Sequence, residues 1–523
     1  MRLSSFFRTL CFSFLLPSAS LWADTLVRGL PTNPVSLDPH RFLGTPEATV
    51  LKDMYEGLTS QDELGKPAPG AAESWSVSED GRVWSFHIRK GLTWSDGSPL
   101  TSADFLYSFR RLADPATRAQ YRWYLDLAGV VNSRKVAAGE LSAEHLGVSA
   151  PDLHTLEIKL EAPRIWLPNL MTFPAFLPVS ERAIKRCGPL WAEQKGCAVS
   201  NGPYRFLSLG DGRIRLGKNS AYRDPLKSSP EKVVWEVFGS ILDELVAFRE
   251  KKLDISSPIP AELGLVQGRK PLSDRQVRQL NTTYLVLNTR DPQLSLPVRK
   301  ALAGILDRQA LFPGGNQSDQ AWTLIPPWTQ GYLFQRLSEV DYSQGRRDEA
   351  ARSILQQTGI DETNPVRLQL LTTHSHYRWV VNSIVVQWRR LPGVEVEVVS
   401  VGWEEYIDRL NRGDYQVLLN HWLAAYNDPS AFLLLGSRSF TFFPPGLMDE
   451  SYENELQSAM SLDEPAEIYR QLEQKLLNSH SLIPLSHIRV SQWVQPEVKG
   501  FDIKNPEGWL PSYRLQLESG VKN

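Results

Sequence analysis

Bond-making and bond-breaking chemistry leaves recurring residue patterns, and few of them occur in these 523 residues. There is no G-x-S-x-G elbow, no H-E-x-x-H helix, no Walker loop and no G-x-G-x-x-G after a strand. Carboxylates are plentiful, but nothing in the order of residues pairs two of them as a general acid and base. His374-x-His376 has a metal-like spacing and reads as two solvated loop histidines. His421 and His487 are isolated polar residues in apolar strands, which suits a hydrogen-bonded core or cleft histidine. Cys187 and Cys197 have nine residues between them. In an oxidising compartment they would close a surface loop as a disulfide, and zinc lacks partners of the right spacing. The expectation is a protein without catalytic residues, metal or cofactor. The 16 tryptophans point instead to binding. Most belong in a core, but Trp403 and Trp422 sit beside polar or turn residues, where an aromatic wall for a large cleft would be built.

The elements that must hold such a cleft alternate between strand and helix. Thr25 to Leu30 reads as a strand ending in a Pro-rich loop, and 46 to 58 reads as a helix by the spacing of Val50, Leu51, Met54, Tyr55 and Leu58. From Val83 to Arg89, apolar Trp84, Phe86 and Ile88 alternate with outward positions, the pattern of a half-buried strand. Thr101-x-x-Asp104 predicts a capping box, opening a helix with Phe105, Phe109 and Leu112 on one face. Pro297 starts another helix with a stripe of Val298, Ala301, Leu302 and Ile305. Helices are expected over 346–358, 377–391, 404–410 and 464–479, and strands over 394–401, 415–422 and 488–494. The pattern predicts an α/β protein of several domains, with no repeat or low-complexity linker to mark boundaries.

The N-terminus carries an address. Arg2 and Arg8 precede a short apolar run, Leu10 to Leu16; Pro17 breaks it, and small residues follow to Ala23. This is the layout of a secretory signal peptide cleaved after Ala23, and the run is too short to span a bilayer. Cys11 lies in no lipobox-like context, so a freely soluble, periplasmic product is expected. The net charge of −2 falls to −4 once Arg2 and Arg8 leave. That gives no electrostatic support for a nucleic-acid partner.

Several longer stretches share an order with a known group. They are "VSLDPH" (Val35 to His40), "YEGLTSQDELGKPAPGAAESW" (Tyr55 to Trp75), "WSFHIRKGLTWSDGSPLTSADFLYSFRR" (Trp84 to Arg111), "NGPYRF" (Asn201 to Phe206), "VRKALAGILDR" (Val298 to Arg308) and "NHWLAAYNDPSAF" (Asn420 to Phe432). In that order they resemble the bacterial periplasmic oligopeptide-binding proteins over essentially the whole mature chain. The resemblance implies a two-lobed Venus-flytrap fold with an additional small α/β domain. Lobe I would be 24–45, 163–275 and 490–523, the small domain 46–162 and lobe II 276–489. It also implies a monomer that closes by hinge motion on a small peptide or peptide-like ligand and passes it to the permease and ATPase of a membrane ABC importer.

Carried over by position, Asn33, Pro34 and Val35 would form one strand contact with the ligand backbone and His421, Trp422 and Leu423 the other. Tyr107 would reach the cleft from the small domain, and Trp403 and Trp422 would be pocket walls. The departure from the family is Ala425. Peptide binders of the group usually have an aspartate there, pairing with the ligand's α-amino group. Basic residues that hold a ligand carboxylate are replaced at Leu410 and Leu419, and Asp428 is not expected to stand in for the missing aspartate. Two expectations follow: a ligand whose amine is blocked or unused, or a non-peptide solute such as a metal chelate, sugar, bile-acid-like or antimicrobial compound. A periplasmic hydrolase is the remote alternative.

Overall fold

The structure, a computed structural model, describes residues 25–224, 226, 229–260, 274–312, 319–334, 341–373, 378–437, 447–462, 464–502, 504–506 and 508–518. Residues 1–24, with the expected signal peptide, lie outside the described residues, as do His374 and His376.

Three sheets organise the chain. The first has the order Thr25–Leu30, Lys232–Val237, Arg213–Lys218, Tyr204–Gly210; its first pair is parallel and the others antiparallel. The second is antiparallel, in the order Ala72–Val77, Val83–Ile88, Thr155–Lys159, Val148–Asp152. The third runs Ile259–Pro260, Leu482–Trp493, Asp274–Leu287, Val417–Leu423, Val366–Thr373, Val394–Val401, with Val366–Thr373 parallel to both of its neighbours. In the second sheet Trp84, Phe86 and Ile88 are buried, as their alternation requires. Thr101 and Asp104 form the reciprocal capping box of helix Ser102–Ala113, whose Phe105, Phe109 and Leu112 enter the core.

One large apolar core joins residues of all three sheets, including Phe86, Trp235, Leu280, Tyr284 and Trp422. A second core, with Leu285, Leu370, Trp388 and Leu419, lies within the part of the chain that carries the third sheet.

Two long strands carry the chain across. Asp274–Leu287 and Leu482–Trp493 pair antiparallel, from Asp274 opposite Trp493 to Val286 opposite Leu482. Their register breaks between Arg278 and Thr282. There Leu280 donates its N–H to the Pro506 carbonyl and accepts from the Ala424 N–H, both at 2.8 Å. At its far end the second strand is stitched to the first sheet's side, with Ser256 N–H donating to the Trp493 carbonyl at 2.9 Å.

Two sequence expectations need correction. The final strand begins at Leu482 rather than 488. Pro484 hides it in the sequence, and the fold tolerates Pro484 because it sits at a second register shift, opposite Tyr284. The helix expected over 46–58 spans Thr45–Met54. It stops because Asn201 claims the next backbone: Glu56 N–H donates to Asn201 Oδ1 at 3.1 Å, and Asn201 Nδ2 donates to the Glu56 carbonyl at 2.8 Å. Gly202 makes that approach possible, since a Cβ there would lie 2.7 Å from the Met54 carbonyl.

Cys187 and Cys197 are joined by a disulfide, with their Cα atoms 6.1 Å apart. It closes a ten-residue step in the chain, a loop length for which constraint of the unfolded chain is worth about 2–3 kcal/mol. Cys187→Ser with Cys197→Ser is expected to lower stability by that amount in urea unfolding. The double variant should also lose all sensitivity of its midpoint to reductant; a midpoint equal to the parent's would refute the contribution.

Candidate functional site

The loop after the first strand is held from behind by two carboxylates. Val35 N–H donates to Glu47 Oε1 at 2.8 Å; Leu37 N–H and Ser36 Oγ donate to Glu193 Oε1 at 2.7 and 2.8 Å. Glu47 serves twice, because its other oxygen accepts from the N–H of Gly44, the N-cap of helix Thr45–Met54. Asn33 is exposed, Pro34 half-buried and the Val35 side chain 67 % exposed. With its N–H engaged by Glu47, Val35 has no amide donor left for an incoming strand.

Three residues further on, buried Asp38 ties this loop to the small domain. Arg111 donates Nη1 to Asp38 Oδ1 at 2.9 Å and Nη2 to Oδ2 at 2.6 Å, and also meets His40 Nδ1 at 2.8 Å. Trp191 Nε1 adds a bond to Asp38 Oδ2 at 3.2 Å. Burial works to raise the Asp38 carboxyl, but the Arg111 hydrogen bond and charge overcome it and hold the carboxyl below its ordinary range. Tyr107 lies one turn before Arg111 on the same helix, half-buried. Its hydroxyl is pushed up mainly by burial, with Arg111 and Asp38 among the charges it senses. The structure therefore places Tyr107 near the 33–38 loop, from which it is far in sequence.

The second expected contact lies on strand Val417–Leu423, paired along its length with Asn281–Leu287. His421 is exposed by its accessible surface, yet protein surrounds it closely enough for desolvation to push its imidazole down. Trp422 points to the opposite face, buried, with Nε1 donating to the Ala431 carbonyl at 2.8 Å. Leu423 is half-buried, and Ala425 is buried in the large core. Asp428 accepts from the Ser430 N–H at 2.8 Å and from Tyr469, and burial raises its carboxyl. It is occupied by its own turn and by helix Ala466–Asn478.

Other expected positions fall elsewhere. Leu410 and Leu419 are buried among apolar neighbours, so neither presents its side chain to open solvent. Trp403 opens helix Trp403–Arg412, but its side chain lies outside the described residues. His487 is buried in the crossing strand, its Nδ1 2.9 Å from Thr282 Oγ1. Thr282 donates its hydroxyl to the Leu324 carbonyl at 2.8 Å, so His487 Nδ1–H is the donor to Thr282. Among the described residues, no three His, Cys, Asp or Glu side chains are grouped as metal ligands would be.

Contacts that sequence reasoning missed join the two sides. The Trp166 and Tyr426 rings stack at 4.6 Å and 6°, and the Trp123 and Trp422 rings lie 6.3 Å apart. Arg164 donates to Gln457 Oε1, bridging 293 positions of sequence. The tryptophan count flagged aromatic walls, but nothing local marks Trp123, Trp166 and Tyr426 as partners, because their meeting depends on how the sheets are arranged.

Among the described residues no helix is long and apolar enough to cross a membrane. Residues 66–442 match the family model of bacterial extracellular solute-binding proteins, family 5 middle region. The chain is 30 % identical over 515 residues to the periplasmic murein peptide-binding protein MppA of Escherichia coli, covering 95 % of this chain and 94 % of that protein. It is 31 % identical to the periplasmic oligopeptide-binding protein OppA of Salmonella typhimurium, covering 94 % and 92 %. The crystal structure of Haemophilus influenzae OppA in complex with the peptide RPPGFSPFR superposes with a TM-score of 0.83 at 26 % identity, covering 95 % of this chain and 99 % of that one.

Proposed function

This chain belongs to the bacterial extracellular solute-binding proteins of family 5, and from that premise we propose that it captures a peptide or peptide-like solute between two lobes without using the solute's α-amino group. It acts as the periplasmic binding component of an ABC importer, a monomer that delivers its load to the permease and ATPase. Lobe I would comprise 24–45, 163–275 and 490–523, the small domain 46–162, and lobe II 276–489. The three separate sheets support this division, with the two long paired strands of the third, Asp274–Leu287 and Leu482–Trp493, crossing between the lobe I and lobe II segments. Relatives named for murein peptide and oligopeptide support the ligand class.

The observation that carries the anchoring claim is the surroundings of Ala425. The residue is buried and bears no charge, and the nearest acid in sequence, Asp428, is already hydrogen-bonded to Ser430 and Tyr469. An ammonium brought there would be desolvated without a carboxylate partner, which is unfavourable. Affinity would come instead from main-chain hydrogen bonds along the Asn33 to Val35 loop and the His421 to Leu423 strand. Tyr107, Trp403 and Trp422 would shape the pockets, with water filling what side chains leave.

Paired tri- to pentapeptides, one with a free and one with an acetylated amine, test this by calorimetry. Removing one partner of a buried charge pair costs about 2–5 kcal/mol, so an amine-anchored binder would lose far more than tenfold on acetylation. This chain is expected to lose tenfold or less. A larger loss would show that the amine is anchored after all. Native mass spectrometry of the periplasmically purified chain would then identify the solute, and a co-purified compound without peptide bonds would overturn the ligand class.

A further inference from the structure

The loop closed by the Cys187–Cys197 disulfide lies mostly at the surface. Between the two cysteines only Trp191 and Ala192 are buried. Its backbone bonds near Cys197 are local: the Cys197 and Ala198 N–H groups both donate to the Gln194 carbonyl at 3.0 Å, and Arg186 Nη2 donates to the Gly196 carbonyl at 2.6 Å. Its side chains reach further. Among the described residues, the hydrogen bonds they make beyond the loop all end on three consecutive residues. Glu193 Oε1 accepts from the Leu37 N–H at 2.7 Å and from Ser36 Oγ at 2.8 Å, and Trp191 Nε1 donates to Asp38 Oδ2 at 3.2 Å. Ser36 Oγ also accepts from the Asp38 N–H at 3.1 Å, so the three contacts act on one connected stretch.

That stretch directly follows Asn33 to Val35. Glu47 holds the Val35 N–H, and Glu193 holds the next two positions. A loop fixed in this way keeps its shape before a ligand arrives. A strand contact with a fixed edge costs less ordering entropy than one with a loose edge. What holds Glu193 matters in turn. On one side of it, the Trp191 side chain is fully buried in the large core. On the other side, exposed Gln194, Lys195 and Gly196 lead to Cys197. There the disulfide is the covalent tie that returns the chain to helix Glu181–Cys187. Breaking that tie lengthens the free segment beside Glu193 and raises its conformational freedom. Cys187 and Cys197 are half-buried rather than enclosed, so a small dithiol can reach them.

We infer that this loop is a redox-sensitive brace for the 33–38 loop, with Glu193 as its positioning residue. With the disulfide formed, Glu193 fixes Ser36 and Leu37. A dithiol breaks the Cys187–Cys197 bond through a mixed disulfide. It supplies two electrons and two protons; both cysteines become thiols, and the dithiol closes to its own disulfide. Glu193 is then held from the Trp191 side alone, the Leu37 N–H opens more often, and binding along Asn33 to Val35 weakens. The brace itself does not depend on what the cleft holds. Only its effect on binding rests on the reading of the cleft given above.

Hydrogen exchange of the full chain without added ligand, read by mass spectrometry over residues 33–38, decides the brace. Glu193→Ala is expected to speed exchange of the Leu37 amide at least tenfold, with strand Val83–Ile88 unchanged. Glu193→Gln should return it to within threefold of the parent, since one amide oxygen can accept both donors. Reduction with dithiothreitol should speed the same amide at least threefold, again with Val83–Ile88 unchanged. On top of Glu193→Ala it should add less than twofold, because the effect passes through that carboxylate. Cys187→Ser with Cys197→Ser should match the reduced parent and ignore the reagent. Calorimetry with acetylated trialanine reads the consequence, and reduction should weaken its binding at least threefold. The inference is overturned if Leu37 exchange is the same in the oxidised and reduced chains, or if Glu193→Ala leaves it unchanged. It is equally overturned if reduction speeds Leu37 and Val83–Ile88 alike, or if its effect is undiminished in Glu193→Ala. Faster Leu37 exchange as expected, with no loss of affinity or with no binding of acetylated trialanine by the parent, keeps the brace and counts against the cleft reading.

Discussion

Arg111→Met is expected to cost about 3–5 kcal/mol, the range for leaving one member of a buried ion pair without its partner. Asp38 is fully buried, and both its oxygens are held by the Arg111 fork at 2.9 and 2.6 Å. Methionine fills much of the volume but leaves, among the described residues, Trp191 Nε1 and the His40 N–H on that carboxylate. Arg111→Lys keeps the charge and loses the two-pronged geometry, so a smaller cost is expected. The effect should also reach ligand binding. Asp38 ends the loop that begins at Asn33, and Arg111 fixes it against the helix that carries Tyr107. Urea unfolding of the three proteins checks the stability, and calorimetry on the purified ligand checks the binding. A loss below about 1 kcal/mol for Arg111→Met would show that Asp38 is stabilised by other partners.

Acid should destabilise the fold through two buried histidines. Burial pushes His40 down to about 3, with the Arg111 charge acting in the same direction, and burial pushes His487 down to about 3. Unfolded histidines titrate near 6.5. Between those values the unfolded chain holds a proton that the folded chain refuses. Each histidine therefore makes stability fall as pH falls, with a slope of about 1.4 kcal/mol per pH unit inside the window from about 6.5 to 3.

Glu473 acts in the opposite sense. Burial raises its carboxyl to about 7, so its contribution is intact below the unfolded carboxylate pKa and is lost as pH rises through 7. It accepts from the Leu324 and Ile325 N–H groups and the Tyr332 hydroxyl. A comparison with variants removes this opposing part, because Glu473 is present in both. Asparagine places an amide oxygen where His40 Nδ1 accepts, or an amide N–H where His487 Nδ1 donates to Thr282. The His40→Asn, His487→Asn chain should therefore have a stability profile between pH 3.5 and 6.5 that is flatter than the parent's by up to two protons. Parallel profiles in urea unfolding across that range would rule the two histidines out as the source.

Much of the local structure was legible in sequence because it depends on near neighbours. The alternation from Val83 to Ile88, the Thr101 and Asp104 capping box and the stripe of the Pro297 helix are each decided within a few residues. The ordered motifs carried the family, which is a property of the whole string. Where sequence reading failed, a distant group had intervened. The first helix ends at Met54 because Asn201 binds the backbone that follows. The crossing strand extends back to Leu482 because Asp274–Leu287 supplies partners past Pro484.

The site divides in the same way. The absence of an acid at Ala425 is a fact of sequence alone, and so is the type of each residue carried over from the family pattern. That Val35 N–H is already engaged, that Asp428 is occupied and that Leu410 and Leu419 are buried are decisions of the tertiary structure. So is the hydrogen bond from Arg164 to Gln457, whose partners are nearly 300 residues apart in the chain. A hydrogen bond or a burial depends on what lies within a few ångströms. For residues that far apart, the folded arrangement of the sheets sets that distance, and the order of residues along the chain does not.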